Sequence, residues 1–123
     1  MTIYEIFFWL LVAHCIADFP LQGDWLARSK NPNAIVLEDE EIWPWSMTAH
    51  CLIHAGAVFY IVSFANMPGV AAICATGEFT MHFLIDYHKC MGYIGYVKDQ
   101  LYHVFMKGAH VAAIVAAAWV HSV

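Results

Sequence analysis

The sequence contains few charged residues. Asp, Glu, Lys and Arg make up 12% of its 123 residues, whereas soluble domains carry roughly 25%. Basic residues are the scarcer kind, because five Lys and Arg stand against ten Asp and Glu, for a net charge of −5. No basic stripe could neutralise the phosphates of a polynucleotide, so the sequence argues against nucleic acid as a partner.

Two signals of a secreted protein are also missing. Residues 1–17 contain Glu5 and no basic residue, which indicates a retained first span rather than a cleaved signal peptide. The four cysteines show no C-x-x-C spacing, and a small disulfide scaffold would be less apolar than this chain. We therefore expect buried free thiols.

Hydrophobic residues make up 62% of the sequence, and its mean hydropathy is +0.61. They form four segments, at about 3–19, 46–66, 69–87 and 97–120, close to the roughly 17–25 residues that a helix needs to cross a bilayer. Pro20, Pro44 and Pro68 stand near the ends of these segments. We expect a single all-α domain over residues 1–123, a four-span transmembrane helical bundle of up-down topology.

Basic residues are distributed unevenly between the connecting segments. Arg28 and Lys30 lie in the first loop. Lys89 and Lys98 lie in the third, whereas the second loop and both termini contain no Lys or Arg. The positive-inside rule then predicts a multi-pass protein of the inner (cytoplasmic) membrane with both termini outside. Lys30 and Lys89 are expected at headgroup level, where they contact lipid phosphates or recruit an anionic substrate.

Each expected span carries two histidine or aspartate residues spaced four apart, which places both side chains on one helix face. The pairs are His14/Asp18, His50/His54, His82/Asp86 and Asp99/His103. The first and third pairs close their spans and the others open theirs, so the two hairpins look alike. All four pairs are predicted at the cytoplasmic end, with a deeper layer of four histidines (His14, His54, His82 and His103) below a shallower layer.

This mixture of imidazole and carboxylate groups suits a divalent transition metal, with zinc preferred over Mn, Fe, Co or Ni. All eight residues are candidate ligands, which exceeds the four of a closed structural zinc site. Two ions sharing an aspartate, or one ion with Asp–His hydrogen bonds around it, would use the whole set. A hydrogen-bonded polar core without metal is the alternative.

Further charged residues lie one helical turn deeper. Glu78 precedes His82 by four residues, and Lys107 follows His103 by four. An isolated charge inside a membrane is unfavourable, so we expect an ion pair between these two. An additional ligand or a general base is the alternative role for Glu78. His110 also faces inward, without an evident partner.

These features favour a membrane-embedded metal-dependent hydrolase. A metal lowers the pKa of a water molecule, and a shallow aspartate (Asp18, Asp86 or Asp99) accepts its proton. A membrane lipid or another phosphoester would fit a site at headgroup depth. An ion or proton conductor is the first alternative, because chains of Asp and His also form relays. A metal-stabilised structural or partner-binding subunit is the second, and a homo-oligomer stays open.

The blocks around the pairs resemble those of the domain-of-unknown-function 3307 family, which are small bacterial and phage membrane proteins. The shared blocks, in the same order, are Ala13-His-Cys-Ile-Ala-Asp-Phe-Pro-Leu-Gln22, His50-Cys-Leu-Ile-His54, His82-Phe-Leu-Ile-Asp86 and Asp99-Gln-Leu-Tyr-His103. The resemblance spans nearly the whole chain and implies a membrane protein of unassigned activity. The pattern is also similar to that of membrane-bound metal-dependent hydrolases, which implies hydrolytic chemistry.

Overall fold

The computed structural model describes residues 1–35 and 40–122, and for the last two of these the backbone alone. Within these residues the helices are α1 (Ile3–Asp18), α2 (Gly23–Ser29), α3 (Trp43–Ser63), α4 (Pro68–Cys90) and α5 (Tyr96–Ser122). The expected all-α class is confirmed. Helix α2 lies in the first connecting segment, which we expected to be a loop.

Local sequence signals determine where these helices begin. The Thr2 hydroxyl accepts a hydrogen bond from the Glu5 backbone N–H, and the Glu5 carboxylate accepts one from the Thr2 N–H, a capping box at the start of α1. Proline lies in the first turn of both α3 and α4, where its missing N–H is not needed. Between α1 and α2 the chain turns at Gly23, whose φ of 58° suits glycine.

Three helices, α3, α4 and α5, are long and apolar enough to cross a membrane. Helix α1 meets the same criterion only together with α2, from which it is bent by 84°. With 16 residues, α1 is about 24 Å long at a rise of 1.5 Å per residue, short of the roughly 30 Å of a hydrocarbon core. The described chain therefore holds three candidate spans, or four if the bent pair forms one, which indicates a membrane protein.

The long helices pack in a closed order around a common interior. Helix α3 contacts α1 and α4, α5 contacts α4 and α1, and α2 rests on α3. One half of the interior is an apolar core at helical spacing, built from Ile6, Leu10, Val58, Ile61, Val62, Ala71, Cys74 and Ile114. The other half is filled by the histidine and aspartate pairs, so each long helix has an apolar end and a polar end.

The distribution of polarity is the reverse of that in a soluble protein. Large apolar side chains such as Tyr60, Ile73 and Phe105 are 67–74% exposed, while most of the histidine and aspartate pairs are buried. An apolar outer surface around a polar interior fits a lipid environment, because lipid solvates the outer side chains and the bundle shields the charged ones.

The cysteines are unpaired, as expected, but not uniformly buried. Cys51 and Cys74 lie inside the bundle, and Cys90 is half-buried. Cys15 is exposed, so the prediction of a buried thiol is wrong there. The reason is its position beside His14, because the residue next to an inward-facing helical side chain points about 100° away from it.

Candidate metal centre

The structure brings the four predicted pairs together in one cluster. The C-terminal halves of α1 and α4 supply His14, Asp18, His82 and Asp86. The N-terminal parts of α3 and α5 supply His50, His54, Asp99 and His103. Seven of the eight are at most 3% exposed, and the Asp18 side chain is 10% exposed. Asp18 is therefore the member of the cluster nearest to the surface.

Four histidine rings form the floor of the cluster. The ring centroid of His82 lies 3.8 Å from that of His54 and 4.1 Å from that of His103, and both pairs of rings are stacked. His14 closes the ring of contacts, at 5.4 Å from His54 and 5.1 Å from His103. These are the residues assigned to the deeper layer, so the helical spacing placed them at a common level.

One group of side chains has the geometry of a metal site. Asp18, His50, His54 and His82 offer ligand atoms that all lie within 4.8 Å of one another. Asp18 Oδ1 is 3.0 Å from His54 Nε2 and 3.5 Å from His50 Nε2, and His50 Nε2 is 3.2 Å from His82 Nε2. Two ligands about 2.0–2.1 Å from a tetrahedral zinc ion are roughly 3.3 Å apart, so these separations match.

The polar atoms of this group are short of hydrogen bonds. Within the described residues, Asp18 Oδ1 and His54 Nε2 are buried and have no hydrogen-bond partner, although they are 3.0 Å apart. Their mutual orientation therefore does not make a hydrogen bond. A buried carboxylate oxygen left without a donor is unfavourable, and a shared cation would satisfy both atoms. The donor set therefore fits a bound metal ion, although His50 Nε2 and His82 Nε2 also lie within hydrogen-bond distance of each other, at 3.2 Å.

A second group, His82, Asp86 and His103, also meets the distance criterion, but its members are already hydrogen-bonded. His103 Nε2 lies 3.2 Å from Asp86 Oδ1 and donates to it, since an ionised carboxylate can only accept. The Lys30 ammonium donates to Asp86 Oδ2. The aspartate of this group is therefore neutralised by a lysine, which makes it the weaker candidate for holding a cation.

Lys30 is buried inside the bundle, so the predicted contact with lipid phosphates is wrong for this residue. Helix α2 ends at Ser29, and the chain then carries Lys30 into the bundle, where it is 5% exposed and paired with Asp86. The bend after α1 produces this placement. Sequence spacing could not show it, because the relevant partners lie in different helices and are separated by more than fifty residues.

His14 and Asp99 lie at the edge of the cluster and belong to neither group. Asp99 Oδ2 accepts from Lys89 Nζ at 2.8 Å and from Gln100 Nε2 at 3.1 Å. Gln100 also donates to Asp18 Oδ2 at 3.0 Å, and its Oε1 lies 3.4 Å from His14 Nε2. Lys89 keeps 31% of its side chain exposed. The ligand roles of His14 and Asp99 stay predictions.

The expected Glu78–Lys107 ion pair is present and has additional partners. Lys107 donates to Glu78 Oε1, which also lies 3.2 Å from His82 Nδ1. Glu78 Oε2 accepts from His110 Nε2 at 2.8 Å, so His110 has the partner that the sequence did not reveal. All four residues are at most 4% exposed. The cluster therefore continues one turn deeper as a fully paired network.

Comparison with known proteins gives a family and no function. Neither a curated protein nor a solved structure matches the chain. The profile of one family, described as a protein of unknown function (DUF3307), matches residues 6–123. The match includes both halves of the cluster and nearly the whole sequence. The chain therefore belongs to this family of unknown function.

Proposed function

We propose that this protein is a membrane-embedded metal-dependent hydrolase whose metal centre lies near the cytoplasmic leaflet. The observation that carries the proposal is the group of Asp18, His50, His54 and His82, buried at ligand separations with two atoms short of partners. Helix bundles build metal sites from histidine and carboxylate side chains on facing helices. Because a catalytic zinc ion needs a position for water, hydrolysis here would require water as a fifth ligand or in place of one of the four side chains.

The proposed membrane arrangement has four spans in up-down order, with the bent α1–α2 pair as the first. Arg28 and Lys30 lie at the end of α2, Lys89 lies in the last turn of α4 and Lys98 in the first turn of α5. By the positive-inside rule, this side of the bundle would face the cytoplasm. Both termini would then lie outside the inner membrane. The cluster occupies the same side as these basic residues, which puts it near headgroup depth.

A single zinc ion fits the donor set better than two. The two ligand groups share His82, and its Nδ1 lies 3.2 Å from the Glu78 carboxylate. Only the Nε2 lone pair remains for a metal, so the groups compete for it. Metal binding by the first group would replace the hydrogen bond between His50 Nε2 and His82 Nε2. Metal binding by the second would compete with His103 and Lys30 for the Asp86 carboxylate. Imidazole-rich donors with one carboxylate favour zinc among the abundant metals.

The remaining aspartates have separate roles in this proposal. Asp18 would hold the metal, and Asp86, whose Oδ2 is 3.4 Å from His50 Nε2, would accept a proton from water beside the ligands. A bound zinc ion would supply Lewis-acid activation of water and of a substrate oxygen. Lys30 and His103 hold the Asp86 carboxylate in place. Asp99 is held by Lys89 and positions Gln100 against Asp18.

Charge balance supports an anionic substrate such as a phosphoester lipid. Asp18, Asp86 and Asp99 outnumber the two lysines that pair with them, Lys30 and Lys89, by one negative charge. A divalent cation would change the net charge of the cluster from one negative to one positive unit, and an anionic ligand would neutralise it. Lysine ammonium groups bind phosphate well. A lipid also suits the apolar outer surface of the bundle.

One observation favours a proton conductor as the second candidate. His82, Glu78 and His110 are linked by contacts of 3.2 and 2.8 Å, so polar groups extend from the cluster toward the middle of the bundle. Beyond His110 the described interior is the apolar core around Leu10, Val62 and Ile114, which interrupts such a path. Proton flux in liposomes that requires Glu78 would favour this candidate over hydrolysis.

Phosphate release from lipid substrates tests the proposed activity. Zinc-loaded protein in detergent should release phosphate from phosphatidic acid, or a phosphomonoester from a phosphodiester lipid, and should lose this activity in a His54→Ala/His82→Ala variant. The matched control is His88→Ala, because His88 hydrogen-bonds the Leu84 carbonyl and lies outside the cluster. Zinc-loaded protein that hydrolyses no lipid phosphoester would leave a metal-stabilised structural subunit as the better account.

A further inference from the structure

We infer that Glu78 is a positioning residue that fixes the ring orientation and tautomer of His82 for metal binding. This inference deepens the proposed function and rests on it. It starts from the side chains around Glu78, which is 1% exposed and lies one helical turn before His82 on α4. Three nitrogen atoms reach its carboxylate: His82 Nδ1, Lys107 Nζ and His110 Nε2.

The direction of these hydrogen bonds follows from the carboxylate. An ionised carboxylate has only acceptor sites, so each nitrogen atom bonded to it must carry a proton. His82 Nδ1 is then the protonated nitrogen of that ring, and its Nε2 keeps a lone pair. That Nε2 faces the cluster, 3.2 Å from His50 Nε2 and 4.0 Å from Asp18 Oδ1. Glu78 therefore presents the coordinating atom of His82 to the ligand group.

Helix α5 supplies the groups that keep Glu78 ionised inside the bundle. Lys107 and His110 are three residues apart and lie on the inward face, both at most 4% exposed. Removing one partner of a buried ion pair leaves an uncompensated charge, whereas replacing both by apolar residues of similar size is often tolerated. A variant that replaces both Glu78 and Lys107 therefore tests the effect of Glu78 on His82 without the destabilisation caused by an unpaired buried charge.

A carboxylate that accepts a hydrogen bond from a metal-bound histidine fixes the orientation of the histidine ring and raises the basicity of the ring. Loss of such a carboxylate typically lowers metal affinity about 10- to 100-fold. We expect that loss in a Glu78→Leu/Lys107→Met variant, which removes the pair without a residual charge. Zinc affinity would be measured by competition with a chromophoric chelator. The matched variant Glu78→Gln/Lys107→Met keeps an oxygen that can accept from His82 and should lose less affinity.

Nitrogen-15 NMR of the histidine rings supplies a readout that needs no metal. In the native protein stripped of metal, His82 should be found with its proton on Nδ1, and in Glu78→Leu/Lys107→Met that preference should disappear while the helical content is unchanged. A purely structural ion pair would leave both the tautomer and the zinc affinity as they are in the native protein.

The outcomes separate this inference from the proposed function. If His82 carries its proton on Nε2 in the native protein, or if Glu78→Leu/Lys107→Met binds zinc as tightly as the native chain, the positioning role is wrong even though a metal centre exists. If the native protein takes up no zinc while His82 shows the expected tautomer, the metal centre itself is wrong.

Discussion

His82 lies between the ligand group and the network around Glu78. Its ring stacks on both His54 and His103, its Nε2 faces the ligand group, and its Nδ1 contacts Glu78. A histidine ring has two nitrogen atoms with different roles, and the partner of one decides what the other can do. The chemistry of the centre therefore depends on hydrogen bonds at single atoms, and residue substitutions test it most directly.

The three aspartates should differ when each is changed to asparagine. Asp18→Asn should lose most of the bound zinc, because a neutral amide oxygen is a weaker ligand than a carboxylate. Asp99→Asn should keep the metal, since Asp99 bonds to Lys89 and Gln100 instead. Asp86→Asn alone would leave Lys30 unpaired, so the informative variant is Asp86→Asn/Lys30→Met, which should keep zinc and lose hydrolysis. Zinc content and phosphate release, measured on each variant, check these expectations. Equal zinc content in all three would refute the assignment of Asp18 as the ligand.

Lys30 should affect anion binding without affecting zinc. A hydrogen bond to a charged group contributes about 1.5–3 kcal/mol. The Lys30→Met/Asp86→Asn variant, which leaves no buried charge unpaired, should therefore weaken binding of inorganic phosphate to the zinc-loaded protein about 10- to 100-fold. Lys98→Met is the matched control, because Lys98 is exposed near the start of α5. Competition between phosphate and the lipid substrate gives the affinity. Equal phosphate affinity in the native protein and Lys30→Met/Asp86→Asn would show that Lys30 serves only to neutralise Asp86.

At the scale of elements, the bend between α1 and α2 determines how the site is closed. Helix α1 ends at Asp18, the chain turns through Gly23, and α2 turns by 84° and rests on α3. Asn33 then donates to the Cys90 carbonyl at the end of α4, which fastens the segment carrying Lys30 to the bundle. A polar connection thus packs against the bundle and brings Lys30 to Asp86.

Labelling with a membrane-impermeant thiol reagent tests the orientation of these elements. In a background with Cys15 and Cys90 replaced, Asp24→Cys and Lys98→Cys should react from the cytoplasm, because both positions are exposed and belong to basic connections. Gly69→Cys should react only from outside, and a side chain there meets no atom within 4 Å. Labelling of positions 24 and 98 from opposite faces would contradict the placement of the whole cluster at one leaflet.

At the scale of the whole molecule, the sequence predicted what helical periodicity controls. The i,i+4 spacing of the pairs predicted that eight side chains lie at one end of the bundle. It also predicted the Glu78–Lys107 ion pair, because each of these residues lies one turn from a histidine of the cluster. Long-range placement was not predictable in this way. Three contacts depend on how the helices rotate and how α2 folds back: Lys30 with Asp86, His110 with Glu78, and Lys89 with Asp99. No local spacing encodes those distances.

X-ray absorption of purified protein, combined with elemental analysis, would show whether Asp18, His50, His54 and His82 hold one zinc ion. We expect about one equivalent of zinc, with four or five nitrogen or oxygen neighbours at about 2.0–2.2 Å, one of them water, and no sulfur. The zinc should be lost in His54→Ala/His82→Ala and retained in His88→Ala. Folded native protein that takes up no zinc or other first-row metal, or a metal that survives in His54→Ala/His82→Ala, would show that these four residues do not hold a metal ion.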